Sequence, residues 1–351
     1  MSFRNKSTLF LFIFLLYFPL LLTCAFPAEG QLQLSSYYDS NVFESITGGR
    51  DSYGLKLHGN LGHDLEFNTI AISANILAQA MYDPNNSDES KMIVKSNLIS
   101  RIMITNSIIN TWKLTHFQKK FSENSSSYTK TDISTFLNNH ITKNYSAWIG
   151  LRYNYSTYSI PDTFKFNIST FELGNLINFN KKVSLEGILS YSYTNHKDLF
   201  AIDHGNDFEL INGALLQRDT GLKANIHLKY HGKNIFGLSI AGETIDSNSL
   251  ISSNRTYSSR LYLSGPLLKK TYYHFLLKMM TKKYSHINTA GFSSLRDPET
   301  ATLNQMHIRI EHMLKNKNSI YIQLNFQENE SIYNSKYFYK TTIETGIKYS
   351  F

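Results

Sequence analysis

The chain has 351 residues, of which 14% are aromatic and 18% are charged, and its formal net charge is +8. Its mean hydropathy of −0.28 excludes a protein made of many membrane-spanning helices, because each of these needs about 20 largely apolar residues. A chain of this length can bury a large core, which argues against disorder. A low fraction of charged residues together with a negative mean hydropathy favours strands that place one face in lipid and the other in water.

The first 25 residues are typical of a secretory signal peptide. Arg4 and Lys6 precede a short apolar run, and small residues stand before a cut after Ala25. A cut after Gly30 is an alternative, and so is an uncleaved anchor helix. Removing Arg4 and Lys6 takes away two positive charges and no negative one, so the predicted mature chain carries +6 instead of +8.

Cys24 is the single cysteine of the chain. Residues 21–24 resemble a lipoprotein box, although Thr23 departs from the usual small residue before the cysteine, so a lipoprotein is a further alternative. With cleavage after Ala25, the mature chain has no disulfide and no thiolate metal site. No linker or repeat divides residues 26–351, which are therefore predicted to form one domain.

Apolar and polar residues alternate from one end of the mature chain to the other, while helical periodicity is scarce. The clearest segments are residues 145–155, 183–193, 222–230, 320–327 and 337–351. Each apolar face has about five members, which matches the roughly 9–11 residues that a tilted strand needs to cross a bilayer. Tyrosines gather at the ends of these faces, as in an aromatic girdle. The pattern predicts an all-β protein, a transmembrane antiparallel up-and-down β-barrel.

Predicted connectors alternate between short and long along the chain. Short ones are expected at residues 62–64, 143–144, 180–181, 231–234, 265–266 and 315–319, and long ones at 39–51, 83–91, 196–206, 245–254, 285–300 and 328–336. This rhythm gives about 16 strands, with 14 as the alternative, and both counts are even, as in single-chain barrels. The alternation over residues 208–230 predicts one long strand and not a hairpin with its turn at Asp219 and Thr220.

Lipid requires the predicted sheet to close. An unpaired backbone group in hydrocarbon costs several kcal/mol, so an open sheet edge is excluded there. The first strand, near residues 31–38, is therefore expected to pair with the last, near residues 337–351.

The chain ends with Gly346, Ile347, Tyr349 and Phe351 in an alternating segment that resembles the closing strand of bacterial outer-membrane barrels. The resemblance implies that these residues are the signal read by the barrel-assembly machinery. It also implies export through the general secretory pathway, insertion into the outer membrane, and contact with its lipid and lipopolysaccharide.

Residues 38–43, Tyr-Asp-Ser-Asn-Val-Phe, resemble the start of porins of the exopolysaccharide-operon kind and of the barrel domain of surface lipoprotein assembly modifiers. The last hairpin fits both families. Assembly modifiers carry a helical-repeat domain before the barrel, which this sequence lacks, so the porin-like interpretation is favoured. The expected function is a channel for small, anionic or sugar-like solutes. The alternative is a barrel factor for assembly or export of surface lipoprotein or polysaccharide.

No catalytic, cofactor-binding or metal-binding residues are predicted. The sequence has no Gly-x-Ser-x-Gly elbow and no glycine-rich phosphate loop. His204 beside Asp203 is interpreted as part of a solvated loop, and the oxygen-rich residues 83–89 as an external loop in preference to a calcium site. His307 and His312 differ by an odd number of positions, so they face opposite sides of one strand. A hydrolase remains a minor alternative.

The polar face of each strand is expected to point into the barrel. This assignment gives ten basic and four acidic lumen residues: Lys95, Arg101, Arg152, Lys223, Lys229, Arg260, Lys278, Arg309, Lys340 and Lys348, with Glu186, Glu209, Glu311 and Glu344. Such a wall favours anions, because basic rings raise the barrier for cations. The alternative is that bases and acids pair in ladders and set no selectivity. The bases are spread over many segments, which argues against a nucleic-acid partner.

Overall fold

A computed structural model describes residues 29–40, 51–85, 90–122, 127–159, 163–204, 210–249, 252–284, 303–315, 317–329 and 338–351. The predicted signal peptide, residues 1–25, lies outside the described residues. All regular structure in the described part is β-strand. No helix there is long and apolar enough to span a membrane, a finding that concerns helices only.

Sixteen strands follow one another along the chain. They are β1 Glu29–Asp39, β2 Ser52–Glu66, β3 Ile70–Tyr82, β4 Lys91–Met103, β5 Ile108–Phe121, β6 Ser127–His140, β7 Tyr145–Ser159, β8 Thr163–Asn178, β9 Val183–His204, β10 Leu210–His231, β11 Ile235–Ser247, β12 Asn254–Leu268, β13 Thr271–Tyr284, β14 Leu303–Met313, β15 Ser319–Asn329 and β16 Phe338–Ser350.

Each strand pairs antiparallel with its neighbours in sequence, and β1 pairs with β16 to close the barrel. The closing register runs from Gln31 opposite Ser350 to Asp39 opposite Thr342. The predicted all-β, up-and-down barrel and the pairing of its first and last strands are confirmed. The strand number is 16 and not 14.

The two faces of each strand differ in polarity, as β9 illustrates. Leu189 and Tyr191 point outward and are 46% and 52% exposed, while Glu186 and Ser190 alternate with them and point inward. Every strand contributes at least one exposed large apolar residue to the outside: Leu34, Leu55, Ile76, Leu98, Leu114, Ile133, Ile149, Leu173, Leu189, Ile226, Ile240, Tyr257, Met279, Ile310, Ile322 and Ile343. A continuous apolar belt of this kind is stable in a lipid bilayer and not in water.

Exposed aromatic side chains border the belt at both ends. One border contains Tyr53, Tyr82, Tyr153, Tyr155, Tyr191, Tyr193, Tyr257 and Tyr339, and the other Phe67, Phe179, Tyr230, Tyr349 and Phe351. Aromatic rings favour the interface between hydrocarbon and headgroups. These two borders therefore mark the membrane surfaces. Tyr337, also expected in a girdle, lies outside the described residues.

Seven connectors of two to five residues lie at one end of the barrel, which we call the turn end. They occupy residues 67–69, 104–107, 141–144, 179–182, 232–234 and 269–270 and the stretch between Met313 and Ser319. The opposite end, called the loop end, carries the remaining connectors. β1 begins and β16 ends at the turn end.

Two predicted short connectors are wrong. Residues 62–64 lie within β2, where Gly62 pairs with Asn75, and residues 265–266 lie within β12, where Gly265 pairs with Tyr273. Glycine and proline indicate turns only where neighbouring strands offer no partner. The missing N–H of Pro266 is tolerated near the strand end, at a register shift before Leu268.

The predicted long connector at residues 196–206 begins too early, because β9 continues to His204. Its extension pairs with β10, including Phe200 opposite Leu216 and Ile202 opposite Asn212. The interpretation of residues 208–230 as one long strand is confirmed, since β10 runs from Leu210 to His231.

The closing seam is held by a network of inner-facing side chains. Glu344 of β16 accepts hydrogen bonds from Tyr321 of β15 at 2.5 Å, Gln33 of β1 at 3.3 Å and Lys56 of β2 at 2.9 Å. Glu344 is only 4% exposed and Tyr321 only 5%. Gly346 makes room for this arrangement, because a Cβ there would lie 2.6 Å from the Tyr321 hydroxyl. Four strands are thus tied to one carboxylate.

Replacing this carboxylate, as in Glu344→Ala, is expected to destabilise the barrel by roughly 3 kcal/mol, because Lys56 loses its acidic partner and buried polar groups lose an acceptor. Urea unfolding in lipid vesicles, followed by tryptophan fluorescence, measures the change. Glu243→Ala is the matched control, because Glu243 contacts only the half-exposed Lys223 at 3.7 Å. Equal destabilisation by the two variants would contradict a special role for the seam.

Candidate functional site

The structure places all thirteen of the predicted pore-lining residues that it describes on the inner face. They alternate with the outward positions of β4, β7, β9, β10, β12, β13, β14 and β16: Lys95, Arg101, Arg152, Glu186, Lys223, Lys229, Arg260, Lys278, Arg309, Glu311, Lys340, Glu344 and Lys348. Glu209 lies outside the described residues. That these side chains line a conducting path stays a prediction.

The inner face carries more acids than the sequence analysis assigned. Further inner-facing acids are Asp39, Asp132, Glu172, Asp219 and Glu243, and further bases are Lys56, Lys113 and Lys130. These positions obey the same alternation of polarity. Asp132, Lys130, Glu172 and Glu243 were missed because β6, β8 and β11 have weaker apolar faces than the clearly alternating strands.

Most of the predicted basic residues form ion pairs with these acids. The N–O distances are 3.3 Å for Arg152–Glu172, 3.7 Å for Lys223–Glu243, 3.0 Å for Lys229–Glu186, 2.9 Å for Arg309–Glu311, 2.5 Å for Lys348–Glu311 and 2.8 Å for Lys340–Asp39. The alternative interpretation, in which inner bases and acids pair with each other, therefore holds for much of the inner wall. In the pairs with one base per acid, the charge of the base is largely cancelled locally, whereas Arg309 and Lys348 share the single charge of Glu311.

Glu311 is the most strongly coordinated of the acids. It accepts contacts from Arg309, Lys348 and the Ser319 hydroxyl, the last at 2.5 Å. The Arg309 guanidinium also lies 3.8 Å from the centre of the Tyr321 ring. This cluster is therefore continuous with the closing seam, and its charges hold neighbouring strands together.

Four of the predicted bases have no acidic partner in the part of the chain that the structure describes. They are Lys95 and Arg101 on β4 and Arg260 and Lys278 on β12 and β13. Two further inner-facing bases, Lys113 on β5 and Lys130 on β6, join them. In the closed order of sixteen strands, β4 and β12 are separated by eight positions in either direction. The unpaired bases therefore lie on opposite walls of the barrel.

Aromatic rings form a stacked ladder on the inner face near the loop end. Its members are Phe117, Tyr128, Tyr158, Phe166 and His196, with successive ring centres 5.2, 5.1, 6.0 and 5.6 Å apart. Tyr128 and Tyr158 are each 3% exposed. Because the rings cover one another, their faces are not available to a passing solute, and the ladder serves to hold five strands together.

The ladder ends in a polar cluster that joins β9 to β10. His196 Nε2 lies 3.0 Å from an Asp219 carboxylate oxygen, and the Gln217 amide donates to the same carboxylate at 2.9 Å. Other inner-facing polar residues near the loop end are also buried, including Ser52 and Asn254. The bases that meet solvent lie deeper, for example Lys229, whose side chain is 46% exposed.

Among the described residues, the remaining candidates for chemistry are not brought together in a site. The His204 side chain and residues 205–209 and 86–89 lie outside the described residues. Asp83 is buried and is bonded to the hydroxyl of Ser52 and the backbone N–H of Asn85. Within the described ranges, no three His, Cys, Asp or Glu side chains are grouped as metal ligands. His307 points inward and His312 outward.

The assignment of faces is testable by thiol labelling in a background in which Cys24 is replaced by serine. In Lys95→Cys the thiol faces the barrel interior, whereas in Leu98→Cys it faces the outer surface at a position that is 44% exposed. A charged, membrane-impermeant thiol reagent added to barrels in vesicles is expected to modify the first variant at least about tenfold faster, since thiolates form only in contact with water. Equal rates would show that the face assignment is wrong.

Comparisons with known proteins are limited to solved structures. No protein-family model and no curated protein matches the chain. A bacterial polysaccharide outer-membrane secretin is 8% identical, with 92% of this chain and 98% of that chain covered and a TM-score of 0.45. OpdK of Pseudomonas aeruginosa is 7% identical, with 92% and 99% covered and a TM-score of 0.46. CdiB from Acinetobacter baumannii is 10% identical, with 91% and 60% covered and a TM-score of 0.48. The fold assignment rests on the strand pairing itself.

Proposed function

We propose that this protein is a channel of the bacterial outer membrane through which small solutes diffuse, with a preference for anions. The observation that carries this proposal is the pair of opposite walls, β4–β5 and β12–β13, whose inner bases lack acidic partners among the described residues. Sugar-like solutes fit the same polar interior, but only anions respond to its charge.

The size and polarity of the barrel support a water-filled interior. Barrels of about 16 strands are wide enough to leave an aqueous channel between their inner side chains. Arg152 and Lys223 are 40% and 45% exposed although they point away from the lipid-facing surface. Charged groups that are this exposed require water around them, because an unsolvated charge is costly.

The distribution of inner charge supports anion preference. Bases in close ion pairs leave little net field. The uncompensated bases among the described residues are Lys95, Arg101, Lys113, Lys130, Arg260 and Lys278. Low-dielectric walls focus the field of such groups into the lumen, which raises the local concentration of anions and the barrier for cations. A modest number of unpaired bases therefore sets the selectivity of the channel.

The outer surface and the last strand support a proposal for the location and the assembly of the barrel. The apolar belt places it in a bilayer, and we propose that this bilayer is the outer membrane, with lipopolysaccharide as a neighbour. Ile347, Tyr349 and Phe351 are exposed on the lipid-facing side of the closing segment at 60%, 52% and 43%. We propose these residues and Gly346 as the signal for the barrel-assembly machinery after secretory export.

The alternative role in assembly or export of surface lipoprotein or polysaccharide stays a prediction. Of the residues 38–43 that carry the resemblance, the structure describes Tyr38, Asp39 and Ser40. Asp39 faces inward and pairs with Lys340 at 2.8 Å. Deletion of the gene combined with surface labelling tests this role, and unchanged surface display would contradict it.

Planar-bilayer recording tests the channel function. The purified protein is expected to give stepwise conductance, and in a KCl gradient the sign of the reversal potential is expected to report chloride preference. Replacing Lys95, Arg101, Arg260 and Lys278 with glutamine is expected to lower the chloride-to-potassium permeability ratio by roughly threefold or more.

The matched control removes charge without changing the net charge. Glu186→Gln combined with Lys229→Gln deletes one ion pair, whose N–O distance is 3.0 Å, and is expected to leave the permeability ratio nearly unchanged. An absence of conductance steps, or a cation preference in the unmodified protein, would contradict the proposed function.

A further inference from the structure

Two like charges lie directly opposite each other on neighbouring strands of the inner wall. Arg260 of β12 and Lys278 of β13 are register partners, and both alternate with lipid-facing residues of their strands. Like charges at directly opposed positions repel and destabilise a sheet. The inner face elsewhere avoids this cost by placing an acid beside a base, as at Arg152 and Glu172.

The surroundings of this pair contain no acidic residue at the adjoining register positions. Arg260 also pairs with Ser239 of β11, and Lys278 also pairs with Gln305 of β14. The adjoining inner-facing residues of the two strands are Ser258, Tyr262, Leu276 and Met280. The pair is therefore bordered by neutral side chains, several of which can donate hydrogen bonds, and neither base has an acidic partner in the described part of the chain.

Further positive charge reaches the same region from β10. The ammonium of Lys278 lies within electrostatic reach of Lys223 as well as of Arg260. Glu243 of β11 is in contact with Lys223 at 3.7 Å. The charges named around Lys278 are therefore positive on balance.

We propose that Arg260 and Lys278 form a binding subsite for an oxyanion, a carboxylate or phosphate group, on the wall of the lumen. A guanidinium presents parallel N–H donors that match two oxygens of such a group, and an ammonium beside it adds a third charged donor. The bound anion relieves the repulsion between the two bases. This inference rests on the proposed function, because it assigns to the channel a class of solute and a place where that solute pauses.

Binding is measured on the purified full-length protein in detergent micelles, by calorimetry at low salt with inorganic phosphate and, separately, with succinate. Saturable binding of at least one of them is expected. Arg260→Gln and Lys278→Gln are each expected to weaken it by about tenfold or more. Arg260→Lys keeps the charge but loses the paired donors, so an intermediate affinity is expected. Lys181→Gln, in the exposed turn at residues 179–182, is the matched control for charge loss outside the lumen.

The two anions distinguish between two classes of solute. Binding of phosphate alone would indicate that the subsite takes phosphate-bearing solutes, and binding of succinate would indicate that it takes carboxylates. If neither anion binds saturably, or if Lys181→Gln weakens binding as much as Lys278→Gln does, the subsite is overturned.

A stability measurement separates a binding role from a structural one. In the absence of anion, Lys278→Gln is expected to raise the urea concentration needed for unfolding, because it removes a repulsion. A lower concentration would show that Lys278 stabilises the wall and would overturn the subsite. Anion binding that depends on Arg260 in a protein without conductance would instead contradict the channel function alone.

Discussion

In hydrocarbon, a backbone N–H or C=O group without a hydrogen-bond partner costs several kcal/mol, and this cost governs the rest of the structure. Strands β1 and β16 lie at opposite ends of the sequence, yet they pair over the whole register from Gln31–Ser350 to Asp39–Thr342. Closure then separates two environments. Because side chains alternate along each strand, every strand must supply an apolar outer face and a polar inner one.

Closure also determines what the inner charges do. Glu344 and Glu311 were predicted to face the lumen, and their contacts join strands: Glu344 links β2, β1 and β15 to β16, and Glu311 binds Arg309, Lys348 and Ser319. Acids of the inner wall are thus used to hold the sheet together and to neutralise most of the bases. What remains for solutes is the small set of bases without partners, such as Arg260 and Lys278.

The sequence was sufficient to predict the architecture, because alternation of polarity is a local signal. It indicated sixteen strands, the long β10 and the outward position of residues such as Leu189 and Tyr191. It was not sufficient to predict which inner charges meet. Whether Arg152 contacts Glu172 depends on the register between β7 and β8, and that register is set by the whole closed sheet and not by either segment alone. The turns predicted at Gly62 and Pro266 were wrong for the same reason, because pairing within the sheet and not the local residue type decides where a strand ends.

The first and last strands meet in one fixed register, and a disulfide between them tests this closure most directly. Ser36 and Thr345 are register partners on the outward face, with their hydroxyl oxygens 3.2 Å apart. In a background with Cys24 replaced by serine, Ser36→Cys with Thr345→Cys is expected to form an intrachain disulfide in membranes under mild oxidation, since opposed Cβ atoms lie about 4.5–5.5 Å apart. Ser36→Cys with Glu344→Cys, shifted by one residue to the inner face, is expected not to do so. Failure of the first pair, or equal crosslinking of both pairs, would contradict the closed barrel described here.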